Sequence, residues 1–154
     1  MTGIIMFLVG ASNIMAWVMS FTGIPAAISN AVLGISDNRI VVLLIINLLL
    51  LLVGTFMDLT PAILIFTPIL LPVCMKLGMT PLHFGIMLVF NLSIGCITPP
   101  VGNVLFVGIK VANRKLEEVM PFLFRYYAAI FVILMLVTYF PALSTYIPGL
   151  AGYR

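Results

Sequence analysis

The sequence predicts an all-α integral membrane protein with a re-entrant helical hairpin and a broken transmembrane helix. Three observations carry that prediction. Of 154 residues, 64% are hydrophobic and 7% charged, whereas a soluble domain carries about 25% charged residues. So few charges cannot coat a water-facing surface, and the solvent is therefore lipid. The apolar runs between residues 40 and 113 fall short of the roughly 20 helical residues that cross a bilayer. Finally, two stretches rich in Gly and Pro, GTFMDLTP at 54–61 and IGCITPPVGN at 94–103, interrupt those runs.

The elements follow in order. Residues 1–20, with GIIMFLVGASNIMAWVMS, make one slightly polar span. The start of the chain lacks a basic n-region and an A-x-A site, which argues against a cleaved signal peptide. FTGIPAAISNAVLGISDN, at 21–38, is expected to be an external interfacial linker. Residues 39–76 hold two apolar pieces, IVVLLIINLLLLLVG and TPAILIFTPILLPVCM, which form the expected hairpin with its tip at mid-membrane. Residues 81–113 hold PLHFGIMLVFNLSIG and VLFVGIKVAN, together one crossing with a broken centre.

The last span is expected over 117–141, with Arg125, Tyr126 and Tyr127 at one interface and Tyr139 at the other as anchors. Residues 142–154 are expected to be an external tail. Lys110, Arg114 and Lys115, beside Glu117 and Glu118, mark a cytoplasmic loop and set the orientation. They are too few and scattered for a nucleic-acid surface.

Most polar residues have modest roles. Cys74 and Cys96 stand alone in apolar runs and read as buried small hydrophobes, not as a disulfide or metal pair. Asn47 and Asn91 are expected to bond across helices. His83, just after the turn signal MTP, is expected to be solvated or capping.

The breaks carry the functional expectation. Unsatisfied backbone in hydrocarbon costs several kcal/mol per group, so irregular backbone persists there only in buried or wet surroundings. Paired Gly/Pro interruptions point to a transporter binding site. Carbonyls at helix C-termini and the hydroxyls of Thr55, Thr60 and Thr98 suit a hard monovalent cation, while helix N-termini suit an anion. Pro61 and Pro100 fit the first turn of a restarting helix. Asp58, the one acidic residue placed at mid-membrane, is a candidate cation ligand and a candidate N-cap.

An intramembrane enzyme is disfavoured. Aspartyl proteolysis needs paired carboxylates, and Ser93 and His83 sit at opposite ends of one predicted helix. A structural or passive channel-type membrane subunit, or a non-functional fragment without a first repeat, remains the alternative reading.

GTFMDLTPAILIFTPILLP, GMTPLHFGIMLVFNLSIGCITPPVGNVLFVG and the late TYFP resemble the C-terminal third of the large membrane subunit of tripartite ATP-independent periplasmic (TRAP) transporters, the DctM-like permeases. The resemblance implies one half of an inverted-repeat transporter fold and Na⁺-driven import of a small organic acid anion by an elevator mechanism. It implies no cofactor beyond Na⁺ as coupling ion. The implied partners are a small four-helix membrane subunit, a periplasmic solute-binding protein and the N-terminal remainder of the large subunit, all at the bacterial inner membrane. Carried onto this chain, Gly54, Thr55, Asp58, Thr60, Gly95, Thr98 and Gly102 would form a Na⁺ site. Thr98, Pro99, Pro100 and Asn103 would face substrate.

Overall fold

The computed structural model describes residues 38–99 and 102–150, with a few isolated residues before 38. The spans expected over 1–20 and 21–38 therefore lie largely outside the described residues. Among the described residues the chain forms six helices: α1 (Arg39–Phe56), α2 (Leu59–Lys76), α3 (Pro81–Cys96), α4 (Asn103–Val111), α5 (Leu116–Tyr139) and α6 (Pro141–Leu150).

Local chemistry sets the helix limits. Asn38 starts α1 by accepting the Ile40 amide on its side chain at 2.9 Å. Nothing from Gly54 to Phe56 stops the helix, so it runs until Met57 turns extended. The end of α2 is a Schellman turn: Gly78, at φ +80, donates to Met75 O, and Met79 donates to Cys74 O, both at 3.0 Å. Thr80 caps α3 by accepting the His83 amide at 3.3 Å, with Pro81 in the first turn. Asn113, at φ 52, closes α4 in a similar left-handed turn before the basic residues.

Two sequence expectations change here. The hairpin pieces, read as about 15 residues, are 18-residue helices of about 27 Å. By length and composition α1, α2 and α5 are each able to cross a membrane, so shortness no longer argues for re-entry. The segment read as an external tail carries α6 as far as Leu150, because Pro141 restarts a helix immediately after Phe140.

Helix α3 is central. Phe84, Met87, Leu88 and Leu92 form one buried stripe along it, the i, i+3, i+4, i+8 spacing of a core-facing helix. It runs parallel to α1, since Asn91 meets Asn47 and Gly95 meets Gly54 further along. Asn47 and Asn91 do bond across helices: Asn91 Nδ2 donates to Asn47 Oδ1 at 2.6 Å, and Asn47 Nδ2 donates to Thr138 Oγ1 at 3.1 Å. Three helices are thereby joined by one buried polar network.

Helix α5 runs antiparallel to α3. His83 Nε2 donates to Val137 O at 2.7 Å, and Tyr127 Oη donates to Ile97 O at 2.5 Å. Of the two roles expected for His83 the contact favours capping, and Tyr127 gains a partner that the sequence did not show. His83 is 1% exposed, not solvated, because the Val137 carbonyl is free to receive it: the residue four further on is Pro141, which has no amide hydrogen. Tyr127 is half-buried and lies at the middle of the 24-residue α5, where its hydroxyl serves the end of α3. The end of α3 thus lies level with the midpoint of the longest helix.

Candidate functional site

Four helix ends meet where the chain leaves regular structure. α1 and α3 end at Phe56 and Cys96, and α2 and α4 begin at Leu59 and Asn103. The first pair presents carbonyls and partial negative charge. The second presents amides and partial positive charge.

The last turns of α1 and α3, which lead into the two breaks, touch directly. Gly54 and Gly95 are both buried, and a Cβ on Gly95 would lie 2.5 Å from the Gly54 Cα. Only backbone fits there. That closeness lets the Gly102 amide donate to Thr55 O at 3.2 Å, joining the last turn of α1 to the residue that caps α4 by a main-chain bond. The Cys96 thiol also approaches Met57 O at 4.0 Å.

Gly102 has φ +38 and ψ 64, and a Cβ there would fall 2.9 Å from Thr98 O. The left-handed region already disfavours a side chain, and the close carbonyl excludes one. This residue caps α4, whose backbone resumes immediately after it.

The threonine hydroxyls are oriented by their own helices. Thr55 Oγ1 donates to Leu52 O at 2.7 Å, and Thr98 Oγ1 donates to Ile94 O at 2.6 Å. Each hydroxyl proton is thereby used, and lone pairs remain. Such oxygens accept, which suits a hard cation. No group of three or more His, Cys, Asp or Glu side chains able to hold a metal occurs among the described residues, so hydroxyls, carbonyls and Asp58 are the oxygen donors here.

Of the residues proposed from sequence, Gly54, Thr55, Gly95, Thr98 and Gly102 come together at this junction. Pro99 is half-buried beside them. Asp58 and Thr60 begin α2 with exposed side chains. Asp58 occupies the N-cap position and its carbonyl accepts the Ala62 amide at 3.2 Å, but its carboxylate makes no capping bond. Pro100 and the Asn103 side chain lie outside the described residues. Tyr127 and Met57 both adjoin the junction, but the sequence assigns neither to the site and offers Tyr127 only as an anchor. The RYY triplet reads equally well as an interfacial belt, and Met57 contributes only backbone.

Comparison with known proteins identifies the family. The family model described as "Tripartite ATP-independent periplasmic transporter, DctM component" matches residues 1–143. An uncharacterized protein, YgiK, of Salmonella typhimurium is 49% identical over 97% of this chain and 34% of its own length. The 2,3-diketo-L-gulonate TRAP transporter large permease protein YiaN of Escherichia coli is 36% identical over 92% of this chain and 33% of its own length. The sialic acid TRAP transporter large permease protein SiaM of Vibrio cholerae is 35% identical over 99% of this chain and 36% of its own length. The chain thus spans about a third of these relatives. A match this extensive, carried through the same two interrupted segments, makes the chain a member of the DctM-component family of tripartite ATP-independent periplasmic transporters.

Proposed function

We propose that this chain forms the second half of the transport core of a TRAP large permease, importing a small organic acid anion with Na⁺. The family is one of transporter components, not enzymes, and resides in the bacterial inner membrane. On this reading α1 and α2 are a re-entrant hairpin. α3 and α4 are one crossing unwound at its centre. The basic turn at Lys110–Lys115 faces the cytoplasm.

The observation that most supports the reading is the Gly102 amide on Thr55 O. It ties the hairpin tip to the unwound loop at the level of the middle of α5. In hydrocarbon such irregular backbone would be costly unless it faced protein or a wet cavity.

The chemistry follows from the helix ends. Carbonyls and hydroxyls at the ends of α1 and α3, with Thr55 and Thr98, hold Na⁺. Amides at the start of α2 and α4 attract the substrate carboxylate. Na⁺ beside this position offsets the anion's charge, so each stabilises the other when bound. The Gly54–Gly95 contact makes tip and loop one body, in keeping with an elevator movement of the core. The remainder of the large subunit, a small membrane subunit and a periplasmic binding protein that delivers the anion complete the system.

The test is uptake in proteoliposomes. This chain is reconstituted with the N-terminal remainder of a large permease, the small subunit and a loaded binding protein, with and without an inward Na⁺ gradient. Gradient-dependent accumulation is expected, and Asp58→Ala and Gly102→Leu should each weaken it while both proteins still insert. Equilibration without accumulation, against an active full-length permease, would instead indicate a passive channel. Unchanged Na⁺ dependence in both variants would remove the site assignment.

A further inference from the structure

We infer that Tyr127 is a positioning residue for Ile97 and Thr98, where the chain leaves α3, so that α5 belongs to the ion-binding machinery. The inference rests on the transport reading above. Ile97 is the first residue beyond α3, and in a continuing helix its carbonyl would accept an amide four residues on. The chain turns away at Thr98 instead, and the carbonyl is met by Tyr127 Oη at 2.5 Å. A side chain from the middle of another helix thus completes the end of α3.

Four contacts make this a fixed point. The Tyr127 ring packs edge-on to Phe124 at 6.3 Å and 82°, which limits its rotation. His83 on Val137 O holds the other end of the α3–α5 pair, so α5 cannot slide along α3 without breaking both bonds. The next residue along the loop is Thr98, whose hydroxyl donates back to Ile94 O and whose carbonyl lies against Gly102.

The consequences are chemical. Tyr127 occupies one of the two lone pairs of the Ile97 carbonyl and so sets the direction in which that oxygen points. It also fixes the peptide that leads into Thr98, one residue from the Ile97 carbonyl. Without the hydroxyl, that carbonyl can rotate, and the oxygen donors of Thr98 lose their alignment. The ring of a Phe would keep the apolar packing.

The experiment is Tyr127→Phe in the reconstituted complete transporter, with the half-saturating Na⁺ concentration and the maximal uptake rate measured separately. Tyr139→Phe is the control. It removes a second Tyr-to-carbonyl bond on the same helix, from Tyr139 Oη to Ile40 O at 2.9 Å, far from the loop. Loss of one net hydrogen bond predicts that Tyr127→Phe raises the half-saturating Na⁺ concentration about three- to tenfold. Thermal stability should fall no more than in Tyr139→Phe, whose Na⁺ dependence should match the wild type. An unchanged Na⁺ requirement in Tyr127→Phe, or an equal shift in Tyr139→Phe, overturns the positioning role while leaving the transport reading intact. Wild-type uptake indifferent to Na⁺ overturns the transport reading itself, and this inference with it.

Discussion

Gly95 lies against Gly54 so closely that a single added carbon on Gly95 would sit 2.5 Å from the Gly54 Cα and 2.6 Å from its carbonyl carbon. The neighbours are backbone, so no side-chain rotation relieves the overlap. Small residues let membrane helices approach to backbone contact, and here that approach brings Thr55 O within reach of the Gly102 amide.

Gly95→Ala should therefore destabilise the fold by about 1–3 kcal/mol, the usual cost of overpacking, and separate the two interruptions. Thermal unfolding in detergent and Na⁺-driven uptake should both decline. Gly108→Ala provides the contrast: it lies within α4 with nothing within 4 Å of an added Cβ. There the same substitution should leave stability level or raise it by about 0.5–1 kcal/mol through backbone entropy. Equal effects at the two positions would show that the helix crossing is not as close as described.

The buried amides make a second prediction. Asn47 is the hub: its Nδ2 donates to Leu43 O and Thr138 Oγ1, and its Oδ1 accepts from Asn91. Asn91 Oδ1 has no hydrogen-bond partner among the described residues. Asn47→Leu removes bonds to α3, to α5 and within α1, whereas Asn91→Leu removes only its two bonds to Asn47, with an acceptor that was already unmatched. Asn47→Leu should thus cost more. A double-mutant cycle in an unfolding titration should give a coupling of about 0.6–1.7 kcal/mol, as for other interhelical bonds in membranes. Additive losses would mean the two amides do not interact.

The sequence disclosed the interruptions because Gly and Pro act locally: two helix-breaking stretches are readable without knowing what they face. It did not disclose that Thr55 and Gly102 are bonded, since that pairing joins distant positions and depends on how two helices cross. The contact of Tyr127 with the end of α3 was hidden for a related reason. Tyrosine near a predicted span end fits an interfacial belt, and only the depth of α3 against α5 reveals a carbonyl waiting for its hydroxyl. The hairpin helices proved longer than their apolar runs because Asn38 caps α1 at Arg39 and Lys76 is accommodated in the last turn of α2. A hydropathy pattern reports burial, while caps set the ends.

His83 and Pro141 provide the last test, because each explains the other. Pro141 deprives Val137 O of its helical donor, and His83 Nε2 supplies one at 2.7 Å. A carbonyl can only accept, so the bond requires the proton on Nε2. His83→Leu should leave that buried carbonyl unsatisfied and cost about 1–3 kcal/mol. Pro141→Ala restores an amide at the position from which α5 would bond Val137 O, so the histidine becomes less necessary. The loss caused by His83→Leu should then shrink in the Pro141→Ala background, measured by thermal unfolding of the four variants in one detergent. An undiminished loss would mean that His83 stabilises the helix pair by packing alone, and that the Val137 carbonyl finds its partner elsewhere.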